Sequence, residues 1–198
     1  SLTGAWRFKA RAASRSLAAD LGAQDGWLPA QVPGTVHQDL LAAEQIPDPF
    51  WGLNEREVQW VGETDWLYQS TFELPDDFVQ FPAIDLCCEG LDTFATIWIN
   101  DQQVLTSDNM FIPHRVPIKP YVRPGRNTIT IVFESALRRG KEREAQHGAV
   151  PVWNGDPSRV YVRKAQYHYG WDWGPCLLTA GIWRDIRLEA YSARIADV

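Results

Sequence analysis

The sequence predicts an all-β fold, a single antiparallel β-sandwich of jelly-roll form with short peripheral helices. Three observations carry that expectation. Several segments alternate apolar and polar residues with period two, the mark of half-buried strands. The joints between them hold Gly, Pro, Asn or Asp. Only two segments read as helices.

In chain order, the first helix follows "VPG", where Thr35 with Gln38 three residues on has the form of a capping box and opens "VHQDLLAAE". "WLYQSTFEL" (66–74) sets Trp66, Tyr68, Phe72 and Leu74 on one face, with Gln69, Thr71 and Glu73 on the other. "AIDLCCE" and "TFATIWIN" read as further strands, and Asn100-Asp101 begins a turn into "QQVL". "NTITIVF" (127–133) places Ile129, Ile131 and Phe133 together, opposite two threonines. "ESALRRGKEREAQHG" is the second helix, with Ser135 as its N-cap and its charges on a solvated face. "GIWRDIRLEAY" reads as a last strand. There is no repeat, low-complexity tract or internal linker, so residues 1–198 read as one domain.

The 198 residues, 45% of them hydrophobic, suffice for a sizeable core. A net charge of -6 gives no electrostatic footprint for nucleic acid or an anionic membrane. No run of about eighteen apolar residues is present to span a bilayer. The chain opens "SLTGAWRF", without Met or a basic-then-apolar leader, so a signal peptide is either absent or already removed. Cys87, Cys88 and Cys176 are odd in number, two of them adjacent, which is no disulfide framework and no zinc spacing. They read as reduced small hydrophobes, with a bridge from Cys87 or Cys88 to Cys176 as the alternative. With no N-x-S/T sequon, these features favour an intracellular setting over a secreted one.

Ten tryptophans are the outstanding compositional feature. Indole faces stack on the apolar C–H faces of sugar rings, and they also fill sandwich cores; composition alone does not separate the two. Glycoside hydrolysis needs two carboxyls flanking the scissile bond, about 5 Å apart for retention. The acidic pairs are Glu55 with Glu57, Asp76 with Asp77, and Glu142 with Glu144. Asp76-Asp77, in a turn after Pro75, and Glu142 with Glu144, in a charged helix, read as solvated surface; Glu55 is less settled, in a long loop mixing acids and aromatics, and no pair is expected to form a dyad. His37, His114, His147 and His168 are scattered without metal-ligand spacing. No G-x-S-x-G elbow and no Gly-rich phosphate loop occurs, so no metal, cofactor or self-contained active site is expected.

That leaves "YHYGWDWGP" (167–175), where Gly170 and Gly174-Pro175 bracket Trp171, Asp172 and Trp173. On extended backbone the two indoles point one way and Asp172 the other. Asp172 then accepts hydrogen bonds from sugar hydroxyls while an indole lines the pocket. The alternative is structural: both tryptophans cap the core and Asp172 binds amides of its own turn. The residues alone leave both readings open.

Taken in order, "GAWRF", "AQVPGTVHQDLL", "IPDPFWGLNEREVQWVGETDWLYQSTFEL", "CEGLDTFATIWIN", "SDNMF" and "RKAQYHYGWDWGP…TAGIWRDIRLE" resemble the N-terminal domain of the β-mannosidases of glycoside hydrolase family 2. "DPFWGLNE", "DNMF" and "GWDWGP" are the specific parts; the start, "EGLDT" and "GIWRD" are shared with family 2 β-galactosidases and β-glucuronidases. The resemblance implies a galactose-binding-domain-like jelly roll belonging to a much longer enzyme. It implies that the catalytic glutamates lie on a separate (β/α)8 barrel, the domain's partner, so that this chain holds no catalytic residue. It further implies that Asp172 bonds hydroxyls of a terminal β-mannoside, with Trp171 and Trp173 walling the pocket. A pocket blocked at that end means exo-action, and the parent reaction is retaining. The family often carries an arginine directly after "DNMF"; here Ile112, Pro113 and His114 intervene, and Arg115 stands near enough to substitute. Two other functions fit the same fold: a free-standing carbohydrate-binding module or lectin, and another family 2 glycosidase such as a β-galactosidase.

Overall fold

Apolar residues at every second position leave water only if two sheets close on each other, and they do so here. The computed structural model describes residues 1–2, 4–11 and 15–195. Along them run β1 (Trp6–Arg11), α1 (Leu17–Gly22), β2 (Leu28–Ala30), α2 (Val36–Ala42), α3 (Trp60–Glu63), β3 (Asp65–Leu74), α4 (Asp76–Gln80) and β4 (Ala83–Cys88). There follow β5 (Phe94–Ile99), β6 (Gln102–Ser107), β7 (His114–Pro117), β8 (Gly125–Glu134), α5 (Ala136–His147), β9 (Tyr169–Trp171), β10 (Gly174–Cys176) and β11 (Ile186–Tyr191). A six-stranded sheet in the order β2-β1-β3-β8-β5-β6 packs on a three-stranded sheet, β11-β4-β7, while β9 and β10 pair only with each other. Every pairing between these strands is antiparallel.

One core joins the two sheets. Trp6, Phe8, Trp66, Tyr68, Ile97, Ile129, Ile131 and Phe133 come from the larger sheet, and Ile84, Leu86, Cys88 and Ile186 from the smaller. Side chains of this size each contribute about 1.5–3 kcal/mol on burial. The face expected for residues 66–74 is the one that turns inward, and Ile129, Ile131 and Phe133 are buried as a group. Asn100 and Asp101 form the two-residue turn of the β5–β6 hairpin, both with positive φ, 47° and 68°. This backbone matches strand twist and is one that Asn and Asp tolerate. The capping box also forms: Gln38 Oε1 accepts from Thr35 N at 3.0 Å.

Three features differ from the sequence reading. First, α1, α3 and α4 were not expected; none exceeds six residues, too short for a 3.6-residue period to show. Asp76 and Asp77 thus open α4 rather than forming a simple turn. Secondly, "GIWRDIRLEAY" is strand only from Ile186. The Trp183 indole packs against Gly90, where a Cβ would lie 2.5 Å from Nε1, and donates from Nε1 to Met110 O at 3.1 Å. That tertiary engagement bends the chain out of the ladder.

Thirdly, Arg115 is already committed. It lies on β7 with Nη1 3.1 Å from Asp85 Oδ2 and Nη2 2.7 Å from Glu189 Oε2, in a charged row on the outer face of the smaller sheet. It is not a free replacement for an arginine next to "DNMF". All three cysteines are free thiols, so no bridge to Cys176 forms; burial pushes the Cys88 thiol up to about 12.

The helix α5 is anchored as well as solvated. Ser135 Oγ accepts from Arg138 N at 3.1 Å and donates to Gly62 O at 2.7 Å. The Arg138 guanidinium clasps Asp65 at 2.8 and 2.9 Å, and Gly140 lets the helix approach Ser158 and Val162. No helix among the described residues is long and apolar enough to cross a membrane.

Beneath β9 and β10 lies a fully buried ion pair. Lys164 Nζ sits 2.5 Å from both oxygens of Asp92 and donates to Thr179 O at 2.8 Å. Thr93 and Thr179 hydroxyls donate to the same carboxylate, so each lone pair that burial strips of water finds a protein donor. Lys164→Met is expected to cost about 3–5 kcal/mol, because it strands the Asp92 charge in the core. Chemical denaturation of the chain measures this, and a loss within about 1 kcal/mol contradicts it.

Burial, reinforced by the Lys164 charge, lowers the His37 pKa from 6.5 to about 4 against the opposing pull of Asp92. Between those two values the unfolded chain binds a proton that the folded chain refuses. Stability is therefore full above about pH 6.5 and falls as the pH drops towards about 4, by on the order of 3 kcal/mol from this residue. Urea midpoints followed from pH 7 to pH 4 should show the decline, and His37→Gln should shrink it.

Candidate functional site

The segment that held the open question is a tight hairpin. Trp171 pairs with Gly174 and Tyr169 with Cys176, leaving Asp172 and Trp173 as a two-residue turn. Gly170 has φ of 85°, and a Cβ there would meet the Cys176 Cβ at 3.3 Å, so glycine lets the two short strands close. The 3-10 turn Gln166–His168 that precedes the hairpin lies against Thr179, a partner of the Lys164–Asp92 pair, with His168 Nδ1 3.4 Å from the Thr179 hydroxyl.

The backbone therefore does not run extended through Asp172. Even so, the two indoles end up together, ring centroids 5.5 Å apart and planes at 60°. They do not cap the core: Trp171 is 38% exposed and Trp173 82%. Asp172 is exposed at the tip, and its carboxylate has no hydrogen bond or ion pair among the described residues. Leaving a carboxylate and two indoles in water at one hairpin tip does nothing for the fold.

Beside the hairpin opens a cavity of about 680 Å³ lined by Phe50, Gln166, Tyr167, His168, Trp171, Trp173 and Thr179, closed by Gly174, Pro175 and Leu177. Its size suits a small ligand, and its walls are aromatic. Asp172 flanks it from the tip without being one of its walls. Of the residues picked out from sequence, Trp171 and Trp173 line the cavity and Asp172 stands between them. Phe50, Tyr167, His168 and Thr179 were not anticipated. Phe50 could have been found, since the loop "DPFWGLNE" concentrates aromatic residues that no strand claims, and Phe50 is 76% exposed. His168 carries no such local signal.

The acidic pairs do not gather at the cavity. Glu142 is bound by Arg138 and Arg139 on α5, and Asp76 and Asp77 lie on α4. Among the described residues no three His, Cys, Asp or Glu side chains converge as metal ligands. The chemistry on offer is binding: aromatic faces for stacking on C–H surfaces, and polar groups that fix orientation.

Comparison with known proteins bears on the family and the fold. The glycosyl hydrolase 2 galactose-binding domain-like family matches residues 6–184. β-Mannosidase B of Aspergillus terreus is 44% identical across the whole chain, and that of Thermothelomyces thermophilus 48% identical over 85% of it. The chain spans only 23% and 20% of those two proteins. The crystal structure of the β-D-mannosidase from Dictyoglomus thermophilum superposes on 99% of the chain with a TM-score of 0.86 and 38% identity, again over 23% of its own length. An exo-chitosanase from Amycolatopsis orientalis, at 21% identity and a TM-score of 0.66, shares the fold. By sequence and by architecture, the chain belongs to the galactose-binding-like domains of glycoside hydrolase family 2.

Proposed function

We propose that residues 1–198 form the N-terminal sugar-pocket domain of an exo-acting, retaining β-mannosidase, and that the Trp171-Asp172-Trp173 hairpin binds the terminal mannose. The observation that carries this reading is the exposed, unpaired Asp172 held between two indoles at the rim of an aromatic cavity. Similarity to β-mannosidases over nearly the whole chain supports the substrate class. The glutamates that act as nucleophile and as acid/base lie on the partner (β/α)8 barrel, and this domain takes part by binding.

Asp172 accepts hydrogen bonds from two neighbouring hydroxyls on the non-reducing side of the ring. The indoles shield those bonds from water and hold the carboxylate in place. A wall at that side stops longer chains from threading through, so one mannose leaves at a time. The reaction passes through a covalent mannosyl-enzyme and an oxocarbenium-like transition state, whose changed ring shape tightens hydroxyl contacts. Binding that strengthens in this way lowers the barrier as well as KM.

The purified 198-residue chain should not hydrolyse an aryl β-mannoside; clear turnover would refute the division of labour between domains. In the full-length enzyme, Asp172→Ala is expected to lower kcat/KM on the same substrate by about 30- to 1,000-fold, or roughly 2–4 kcal/mol of transition-state binding. Near-normal kinetics in that variant would return the hairpin to a structural role.

A further inference from the structure

We infer that His168 is a second polar sugar-binding residue of this cavity, its unprotonated Nε2 accepting a hydrogen bond from a hydroxyl of the bound sugar. The inference rests on the reading of the cavity given above and adds to it a residue and a direction of hydrogen bonding.

The direction follows from counting hydrogens around Thr179. Its hydroxyl has one proton to give, and Oγ1 lies 2.6 Å from Asp92 Oδ2, a charge-assisted acceptor that claims it. The three Nζ protons of Lys164 go to the two Asp92 oxygens and Thr179 O, with Oγ1 a longer neighbour at 3.1 Å. Oγ1 therefore keeps a lone pair to offer, and His168 Nδ1 faces it at 3.4 Å. A hydroxyl whose proton is already committed can only accept there, so the His168 proton resides on Nδ1. In a neutral imidazole this leaves Nε2 bare, as an acceptor. Burial and then the Lys164 charge push the His168 pKa down to about 4, so the ring is neutral near pH 7.

Nε2 has no hydrogen-bond partner among the described residues, and its half-buried imidazole is one of the cavity's walls. The buried atoms left without partners are His37 Nδ1, Arg139 Nε, Ser158 Oγ and Tyr169 Oη. The imidazole lines the cavity beside Trp171 and Trp173, and Tyr167 holds it edge-on, 4.6 Å away at 82°. With the Asp172 carboxylate at the tip, the cavity then offers two acceptors and no free cation among its lining residues. Its complement is an uncharged polyol that donates hydroxyl protons, rather than a sugar acid.

Isosteric replacements in the full-length enzyme test this. A Gln side chain places an oxygen near the Nε2 position, whereas Asn reaches only as far as Nδ1. On an aryl β-mannoside, His168→Gln should keep kcat/KM within about fivefold of wild type, and His168→Asn should lose about 10- to 100-fold. If Asn retains as much activity as Gln, the ring serves only to hold Thr179 and the inference is overturned. Nitrogen NMR of the folded wild-type protein gives a readout independent of any variant's folding. A bare Nε2 whose resonance moves as mannose is added supports the inference; a protonated or unmoved Nε2 overturns it. Asp172→Ala separates the two levels. Loss in that variant with full activity in His168→Asn removes the His168 assignment alone, while full activity in both removes the pocket reading and the inference together.

Discussion

The buried pair of Lys164 and Asp92 is the constraint on which the rest of the molecule depends. Asp92 lies in the loop between β4 and β5, whereas Lys164 sits just before the turn that leads into the hairpin, 72 residues later. A charge pair at this depth recovers its desolvation cost only if every remaining lone pair and proton is satisfied. Thr93, Thr179 and the Thr179 carbonyl supply those partners. The pair therefore fixes the relative positions of three stretches of chain instead of merely adding to their stability. Backbone bonds between Asp92 and Gly181, in both directions, bring in the segment before β11.

Around this point several of the irregular stretches meet. Gly34 N and Val36 N of "VPGTV" bond to Ile182 O and Ala180 O, and Gly181 is glycine because a Cβ there would lie 2.9 Å from Gly34 O. Met110 of "DNMF" receives Trp183 Nε1 on its carbonyl, and its own N–H goes to Arg163 O. These stretches of "VPGTV", "DNMF" and "TAGIWRD" form one junction, where irregular backbone is satisfied by other irregular backbone. A substitution in a strand is absorbed by repacking, but one at this junction leaves a buried polar group without a partner.

This explains what could and could not be read from the sequence. The strands were legible because their cause is local: period-two alternation in 66–74 and 127–133 needs only a water-excluding face to become a strand. The caps at Thr35 and Ser135 were legible for the same reason. Three-residue hairpin strands and helices of four to six residues have no period long enough to show. Arg115 was misjudged because its distance along the chain said nothing of Asp85 and Glu189, which reach it from neighbouring strands. Trp171, Asp172 and Trp173 stood out by composition, but whether they cap a core or face water is settled by burial, which no local rule encodes. His168 lay inside the stretch singled out but was not marked as a binding residue, since its placement arises from Thr179, eleven residues on, and from a buried charge pair.

The same junction accounts for the electrostatic character of the cavity. Under the proposed function the Asp172 carboxylate accepts hydroxyl protons, and such an acceptor must be free of cations before a ligand arrives, or the ligand competes with an ion pair. Lys164, whose Nζ reaches Thr179 of the cavity wall, is neutralised by Asp92. Burial first, and then the Lys164 charge against the opposing pull of Asp92, lowers the His168 pKa to about 4, while Asp172 at the tip has no ion-pair partner among the described residues. The arrangement also separates rigidity from recognition. The buried pair, the threonines and Gly170 hold the hairpin's shape, so Trp171, Asp172 and Trp173 are free to remain in water. Preorganising an exposed acceptor in this way moves its entropic cost from the binding step to folding, where a core of tryptophan, phenylalanine and isoleucine offsets it.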